Sequence, residues 1–259
     1  MRKSLLVSLM IGIFLTAAAA FGGDIETVRI GTEGAYPPFN LIDKNGELQG
    51  FDVDIAKALC EAADVECEFV IQDWDGMIPG LLAKKYDAII ASMAITEERQ
   101  EKVAFTDKYY MTPARFVAKK GAGFEISPKG LKGKTVGVQR GTTHENFVRD
   151  KFGDAVTIKS YATQDEANMD LVSGRADLVI ADSVVLLEGF LDTDAGEAYE
   201  FTGPGFTDEE WYGKGIGIAV RKGDKDLIAL FNDAIRKIRA NGVYKTINDK
   251  YFDFDVYGE

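Results

Sequence analysis

Residues 87–99 read DAIIASMAITEER, and this stretch joins a buried strand to the start of a helix. The run from Ala88 to Ala94 consists almost entirely of small and apolar residues, which predicts a strand buried on both faces. Thr96 supplies an N-cap hydroxyl, and the two glutamates after it place acidic side chains in the first helical turn. Such a junction is typical of an open α/β sheet, in which ligands bind beyond the carboxyl ends of the strands.

Arg99 falls at the third position of this predicted helix, where the helix dipole disfavours a cation. One explanation is an anion held jointly by the free N–H groups of the helix start and by the guanidinium group. The other is a surface ion pair between Arg99 and one of three nearby acids: Glu97, Glu98 or Glu101. The sequence leaves both explanations open.

Short apolar strands alternate with amphipathic helices on both sides of this stretch. The predicted strands are 28–32, 67–71, 135–139, 156–161, 177–181 and 215–220. The predicted helices begin at Gly50-Phe51, near Met77, at Gly141-Thr142-Thr143, at Gln164, near Leu227 and near Tyr244. Because the alternation restarts after about residue 115, we predict an α/β protein with two units, each a mostly parallel sheet covered by helices.

Charge and the N-terminus limit the possible partners and the compartment. The net charge of −12 disfavours nucleic acid and anionic lipid as partners. Residues 1–22 have the positive start, short apolar core and small residues of a cleaved secretory signal peptide, with an uncleaved membrane anchor as the alternative. Export favours a disulfide between Cys60 and Cys67 over free thiols.

The sequence offers little for catalysis. It contains a single histidine, His144, so a histidine-based metal cluster is excluded, and it has no G-x-S-x-G nucleophile elbow. It also lacks a phosphate-binding G-x-x-x-x-G-K-[ST] loop and a G-x-G-x-x-G motif after a strand. We therefore expect no catalytic residue, metal or cofactor, and we place His144 at a pocket rim or on the surface.

Residues suited to ligand binding lie at the ends of the predicted strands, where α/β sheets place their binding sites. They are Glu33, Tyr36, Trp74, Ala91, Ser92, Ala94, Arg99, Gln139, Thr143 and Asp182. Taken singly, the aromatic residues could be ordinary partly buried side chains, and the acids could be solvated or could cap helices. Taken together, they describe a receptor for an amino acid.

Seven segments carry a family resemblance: VRIGTEGAYPPFN (28–40), GFDVDIAKALC (50–60), QDWDGMIPGLLAKKYDAIIASMAITEER (72–99), FTDKYY (105–110), KGKTVGVQRGTTHE (132–145), GRADLVIAD (174–182) and YFDFDVYGE (251–259). The chain resembles the periplasmic solute-binding proteins of polar amino-acid ABC importers, in the branch that binds lysine, arginine, ornithine and histidine. The resemblance implies the two-lobed type II periplasmic-binding-protein fold. Lobe 1 would comprise 24–111 and 216–259, lobe 2 would comprise 115–206, and two extended hinge crossovers would lie near 109–114 and 206–215.

The resemblance also implies roles at the amino-acid end of a ligand. Arg99 would bind the α-carboxylate through two contacts. Thr143 and the backbone groups beside Ser92 and Ala94 would complete that end, and Asp182 would accept the α-ammonium group.

The remaining implied roles concern the ligand side chain. Tyr36 and Trp74 would sandwich it, Glu33 would face its charge at the distal end, and Gln139 would line the cleft nearby. The family disulfide maps onto the Cys60–Cys67 pair.

The chain departs from that branch at four positions. Glu33 stands where binders of basic amino acids commonly carry aspartate, and Trp74 stands where some members carry phenylalanine. Ala91 and Ala94 replace serines. These differences keep the frame that holds an amino acid and leave the exact ligand open.

Charge balance favours a basic amino acid. Two acids and one arginine match a ligand with two cationic groups and one carboxylate, whereas a neutral ligand would leave Glu33 desolvated and unpaired, at a cost of several kcal/mol. We expect arginine first, then ornithine, lysine and histidine, because the planar guanidinium can pair with Glu33 and stack on Trp74 at once. The receptor would act as a monomer and deliver its ligand to an ABC permease in the membrane. The alternatives are an opine receptor of the same family and a dehydratase using Glu33 or Asp182 as a general acid.

Overall fold

The computed structural model describes residues 25–258, and the predicted signal peptide at 1–22 lies outside them. The strands are β1 Thr27–Thr32, β2 Ala35–Tyr36, β3 Asn40–Ile42, β4 Leu48–Gln49, β5 Glu66–Ile71, β6 Ala88–Ile89, β7 Ala104–Tyr110, β8 Ala114–Lys119, β9 Thr135–Gln139, β10 Thr157–Tyr161, β11 Leu178–Asp182, β12 Tyr199–Phe206 and β13 Ile216–Val220. The α-helices are α1 Phe51–Ala63, α2 Met77–Leu82, α3 Glu97–Gln100, α4 Thr143–Phe152, α5 Gln164–Val172, α6 Ser183–Leu186, α7 Glu209–Tyr212, α8 Lys225–Ala240 and α9 Val243–Tyr251.

Two five-stranded sheets share one plan. The first has the order β5-β1-β6-β13-β7 and the second the order β10-β9-β11-β8-β12. In each sheet the first three strands are parallel, and the two strands after them alternate in direction. The helices supply the crossovers that parallel pairing requires. This architecture confirms the predicted α/β class with two parallel-rich sheets.

The chain crosses between the sheets twice. It passes from β7 to β8 through residues 111–113, and it returns from β12 to β13 through residues 207–215. The second segment contains the one-turn helix α7, so the prediction of an extended connection near 206–215 is wrong for this part.

The predicted strand at 88–94 is shorter than its apolar run suggested. Only Ala88 and Ile89 pair within the sheet, as β6. The chain then turns at Ser92, whose φ of 54° lies in the left-handed region, and Ala94 makes a single bridge to Ile216. The residues after the turn are still buried, so the apolar run records packing between elements and not a long strand.

The start of the next helix follows the sequence prediction. Thr96 is the N-cap of α3, and its hydroxyl accepts a hydrogen bond from the Arg99 backbone N–H at 3.3 Å. The predicted disulfide is also confirmed, because Cys60 in α1 is bonded to Cys67 in β5. None of the helices within residues 25–258 combines the length and apolar character needed to cross a bilayer.

The first sheet is held by an aromatic cluster around Phe51, which is fully buried at the start of α1. Its ring packs edge-on against Phe39, Tyr110 and Tyr244 with centroids 5.8–6.1 Å apart. The cluster joins α1 and α9 to β7, the strand that leads into the first crossing. It therefore fixes the point at which the chain leaves the first sheet.

We predict that Phe51→Ala lowers the free energy of unfolding by roughly 3–5 kcal/mol, the usual cost of removing a buried phenylalanine. Chemical denaturation followed by circular dichroism measures this loss. Phe254→Ala is the matched control, because Phe254 is 47% exposed, and it should cost less than about 1 kcal/mol. Equal losses in the two variants would contradict the role assigned to the cluster.

Candidate functional site

One cavity between the two sheets is lined by all ten residues selected from the sequence. They are Glu33, Tyr36, Trp74, Ala91, Ser92, Ala94, Arg99, Gln139, Thr143 and Asp182. Each comes from the end of a strand or from the loop or helix start after it, as the α/β topology requires. Their proximity is therefore a consequence of the fold, and their roles towards a ligand stay predictions.

Arg99 is buried at the wall of this cavity. It is only 9% exposed, and its Nη1 donates to the Ala94 carbonyl at 3.1 Å. Its guanidinium carbon lies 5.3 Å from the centre of the Trp74 ring. Burial lowers the pKa of Arg99 to about 10. The alternative of a surface ion pair with Glu97, Glu98 or Glu101 is wrong, since no such pair forms and the side chain is inside.

Glu33 lies on another wall, in the loop after β1. It is 7% exposed, and its Oε1 accepts a hydrogen bond from Gln139 Nε2 at 2.6 Å. Burial raises the pKa of Glu33 to about 7, although the bond from Gln139 opposes the rise. The Glu33 carboxyl is therefore desolvated and faces no basic side chain within residues 25–258.

Asp182 ends β11 and caps α6. Its Oδ1 accepts from the Val184 backbone N–H at 2.9 Å, and Oδ2 accepts from the Thr112 hydroxyl. The residue is 7% exposed, and burial raises its pKa to about 6 against the effect of these hydrogen bonds. The helix-cap alternative raised from the sequence is thus true of Asp182, and the capping carboxylate also lines the cavity.

Aromatic side chains join the two sides of the cavity. The Trp74 indole N–H donates to the Gly141 carbonyl at 3.1 Å. This bond connects the half that contains the first sheet to the half that contains the second. The Tyr36 hydroxyl accepts a hydrogen bond from the Asp182 backbone N–H at 3.4 Å. These contacts hold Trp74 and Tyr36, from two segments of the first half of the molecule, against the second half.

A second connection lies outside the cavity. Arg140 Nε donates to the Asp75 carboxylate at 2.7 Å, next to the Trp74 contact. Gln139, which precedes Arg140, makes the bond to Glu33 already described. The end of β9 therefore contacts the opposite half at consecutive residues, so the described conformation is one in which the two halves meet over the cavity.

Sequence reasoning missed several residues of the cavity wall. Thr112 lies in the first crossing, Tyr212 lies in α7, and Tyr110 ends β7. No sequence motif identified these three residues as candidates for ligand binding. The aromatic pair in FTDKYY was quoted only as part of the family pattern, and Tyr212 lies in a segment expected to be extended.

His144 also lines the cavity, which agrees with the pocket position and excludes the surface alternative. It is 9% exposed, and its Nε2 lies 3.5 Å from the Tyr36 hydroxyl oxygen. Burial, with a smaller contribution from the Arg99 charge, lowers the pKa of His144 to about 3. The ring is therefore neutral at physiological pH.

Two buried polar atoms of the cavity wall lack a hydrogen-bond partner within residues 25–258. They are the hydroxyl oxygen of Tyr212 and the Nδ1 of His144. Buried polar atoms are usually satisfied, and those that are not commonly await a ligand or water. The wall is thus chemically suited to a polar molecule. We find no cluster of three or more histidine, cysteine, aspartate or glutamate residues suited to a metal ion in the described part of the chain.

The chain is similar in sequence to two proteins that are named as amino-acid-binding proteins. An L-arginine-binding protein of Pseudomonas aeruginosa is 56% identical over 234 residues, which are 90% of this chain and 90% of that protein. A lysine/arginine/ornithine-binding periplasmic protein of Escherichia coli K12 is 42% identical over 261 residues, covering 100% of both chains.

A solved structure of an ancestral arginine-binding protein bound to arginine superposes with a TM-score of 0.82 at 39% identity, over 89% of this chain and 100% of that one. Similar solved structures are type II periplasmic binding proteins, which confirms the fold expected from the sequence. The model of the bacterial extracellular solute-binding proteins, family 3, matches residues 28–254. The chain therefore belongs to the bacterial extracellular solute-binding proteins of family 3.

Proposed function

We propose that this protein is an extracytoplasmic receptor that binds a basic amino acid, with arginine preferred over ornithine, lysine and histidine. The observation that carries the proposal is the charge of the cavity wall. Arg99, Glu33 and Asp182 all line it, all are at least nine-tenths buried, and within residues 25–258 none makes an ion pair.

With both acids ionised, these three groups leave one excess negative charge. A basic amino acid carries one excess positive charge, as an α-carboxylate, an α-ammonium group and a cationic side chain. Each charge of the ligand would thus meet an opposite charge of the wall, which removes most of the desolvation cost of burying them. A neutral amino acid would leave one buried carboxylate without a counter-charge.

The family resemblance gives each group its role, and the contacts within the cavity support that assignment. Arg99, with the start of α4 at Thr143, would take the α-carboxylate. Asp182 would take the α-ammonium group. Glu33, with Gln139 fixing one of its oxygens at 2.6 Å, would face the side-chain cation, and the faces of Tyr36 and Trp74 would pack on the side chain.

Binding would require the two halves of the molecule to close over the ligand. We assign 24–111 and 216–259 to lobe 1 and 115–206 to lobe 2, with the hinges near 109–114 and 206–215. The direct bonds between the halves support this assignment, because the Glu33, Trp74 and Asp75 contacts all cross it. A loaded, closed receptor would then deliver its ligand to an ABC permease.

The periplasmic relatives support export, with 1–22 as a cleaved signal peptide, and we expect a monomer. The relatives compared above are named as binding proteins, which favours a receptor over the dehydratase considered from the sequence. An opine would present a modified α-amino group to Asp182, so the ligand panel below includes one.

A calorimetric panel tests the proposed ligand class. The purified mature protein, unfolded and refolded to remove any retained ligand, is titrated with arginine, ornithine, lysine, histidine, glutamine, glutamate and an opine. We expect arginine to bind tightest and every basic amino acid to bind more tightly than glutamine. Tighter binding of glutamine or glutamate than of all basic amino acids would refute the charge argument.

We predict that Glu33→Gln weakens arginine binding more than tenfold, or about 1.4 kcal/mol. The substitution keeps the shape of the side chain and removes the charge that faces the ligand cation. Glu97→Gln is the matched control, since Glu97 is exposed and outside the cavity, and it should change the affinity less than twofold. An unchanged affinity in a folded Glu33→Gln protein would remove Glu33 from the site.

Arginine affinity should also depend on pH. Because burial raises the pKa of Glu33 to about 7 and that of Asp182 to about 6, a proton competes with the ligand cations for both carboxylates. Binding favours the ionised forms, so affinity is full at pH 8, begins to fall near pH 7 and falls more steeply below pH 6. We expect a loss of roughly tenfold or more between pH 8 and pH 5.5.

Glu33→Gln removes the upper of these two ionisations. Its affinity, although lower, should stay constant down to about pH 6 and fall only below it. A pH profile of wild-type binding that is flat from pH 8 to pH 5 would contradict the electrostatic account.

A further inference from the structure

Asp52 is a fully buried carboxylate that lies behind the cavity wall. It occupies the first turn of α1 and has no exposed surface. Three side chains from separate segments donate to it: Asn40 Nδ2 at 2.9 Å, Ser92 Oγ at 3.0 Å and the Tyr109 hydroxyl at 2.7 Å. These three hydrogen bonds favour the ionised carboxylate, although burial is the larger effect and raises the pKa of Asp52.

Ser92 links this buried carboxylate to the cavity. It lines the cavity, and its position there is fixed by the left-handed turn that ends the apolar run after β6. A serine hydroxyl has one proton and two lone pairs. Since the proton of Ser92 is committed to Asp52, the hydroxyl can offer only lone pairs to a bound molecule.

A hydroxyl that can only accept hydrogen bonds can bind a hydrogen-bond donor, but it cannot bind an ionised carboxylate, which has no proton to donate. In the cavity it therefore cannot assist Arg99 in binding an anionic group. It can assist Asp182, which lines the same cavity and accepts hydrogen bonds at both of its oxygens. The cationic donor that every amino acid carries is the α-ammonium group.

We propose that Asp52 is a positioning residue that holds the Ser92 hydroxyl as an acceptor for the α-ammonium group of the ligand, beside Asp182. The inference rests on the proposed function only in that the ligand is an amino acid. It does not depend on the side chain of that ligand.

The same carboxylate also fixes the neighbouring loop. Asn40 donates to Asp52 through its Nδ2, and its Oδ1 accepts a hydrogen bond from the Gly34 backbone N–H at 2.8 Å. Gly34 is the residue after Glu33. Asp52 thus anchors two segments of the cavity wall, and a purely structural role must be separated from the role proposed for Ser92. Only the Ser92 route predicts that the effect of changing Asp52 vanishes once the hydroxyl is gone.

A double-mutant cycle makes this separation. Arginine affinity is measured by calorimetry for wild type, Asp52→Ala, Ser92→Gly and the double variant. Glycine removes the hydroxyl and suits the φ of 54° at this position, so Ser92→Gly should fold. We expect Asp52→Ala to weaken binding tenfold or more in the wild-type background and less than threefold in the Ser92→Gly background.

The ratio of these two losses decides the inference. A ratio of threefold or more supports the Ser92 route, and a smaller ratio overturns it in favour of a structural role for Asp52. Asp54→Ala is the control on the same helical turn, because Asp54 is bonded to Lys250 and Tyr251 instead of to the cavity wall. It should leave the affinity within twofold.

Circular dichroism and thermal unfolding establish which variants fold. If Asp52→Ala does not fold, Ser92→Gly alone decides: a loss of fivefold or more supports the inference and a smaller loss overturns it. If wild type prefers another amino acid to arginine, the proposed ligand fails, but the same cycle run with that amino acid still tests the inference.

Discussion

The cost of burying charge is the constraint on which this structure depends. Arg99, Glu33 and Asp182 are each removed from water without an ionic partner within residues 25–258, and a buried unpaired charge costs several kcal/mol even after the protein relaxes. The shifted pKa values of all three groups have this cause as their largest contribution. A ligand that supplies the opposite charges would recover this free energy, which would contribute to affinity and to selectivity.

The fold brings these three groups to one cavity from the two separate halves of the molecule. Glu33 and Arg99 follow strands of the first sheet, and Asp182 ends a strand of the second. The direct bonds between the halves, from Gln139 to Glu33 and from Trp74 to Gly141, involve residues that also line or border the cavity. The contacts between the halves and the electrostatics of the site therefore involve the same side chains.

Much of this arrangement could be predicted from the sequence because it depends on local patterns. The strand at 135–139 and the N-cap at Thr96 follow directly from alternation and capping chemistry. The prediction of one long strand at 88–94 was wrong, because the chain makes a left-handed turn at Ser92. That turn depends on tertiary structure, since the Ser92 hydroxyl is bonded to a buried carboxylate 40 positions away in the chain. An apolar pattern reports burial, and it does not report whether a buried segment pairs within a sheet.

The residues missed at the site have the same explanation. Thr112 and Tyr212 reach the cavity from the two segments that cross between the sheets, where no periodic pattern applies. The sequence alone could not decide between a surface pair and a buried site for Arg99, because both begin from the same helix start. The decision depended on the burial of the Arg99 guanidinium, which lies next to the Trp74 ring.

The central claim is that the charges of this cavity mirror those of an amino acid with a cationic side chain. A crystal structure of the loaded protein, with the molecule that it retains through purification, tests this most directly. The account predicts an α-carboxylate on Arg99, an α-ammonium group on Asp182 and a second cationic group within hydrogen-bonding distance of Glu33. A retained molecule that meets Glu33 with a neutral or anionic group, or a Glu33 carboxylate turned out to bulk solvent, would contradict it.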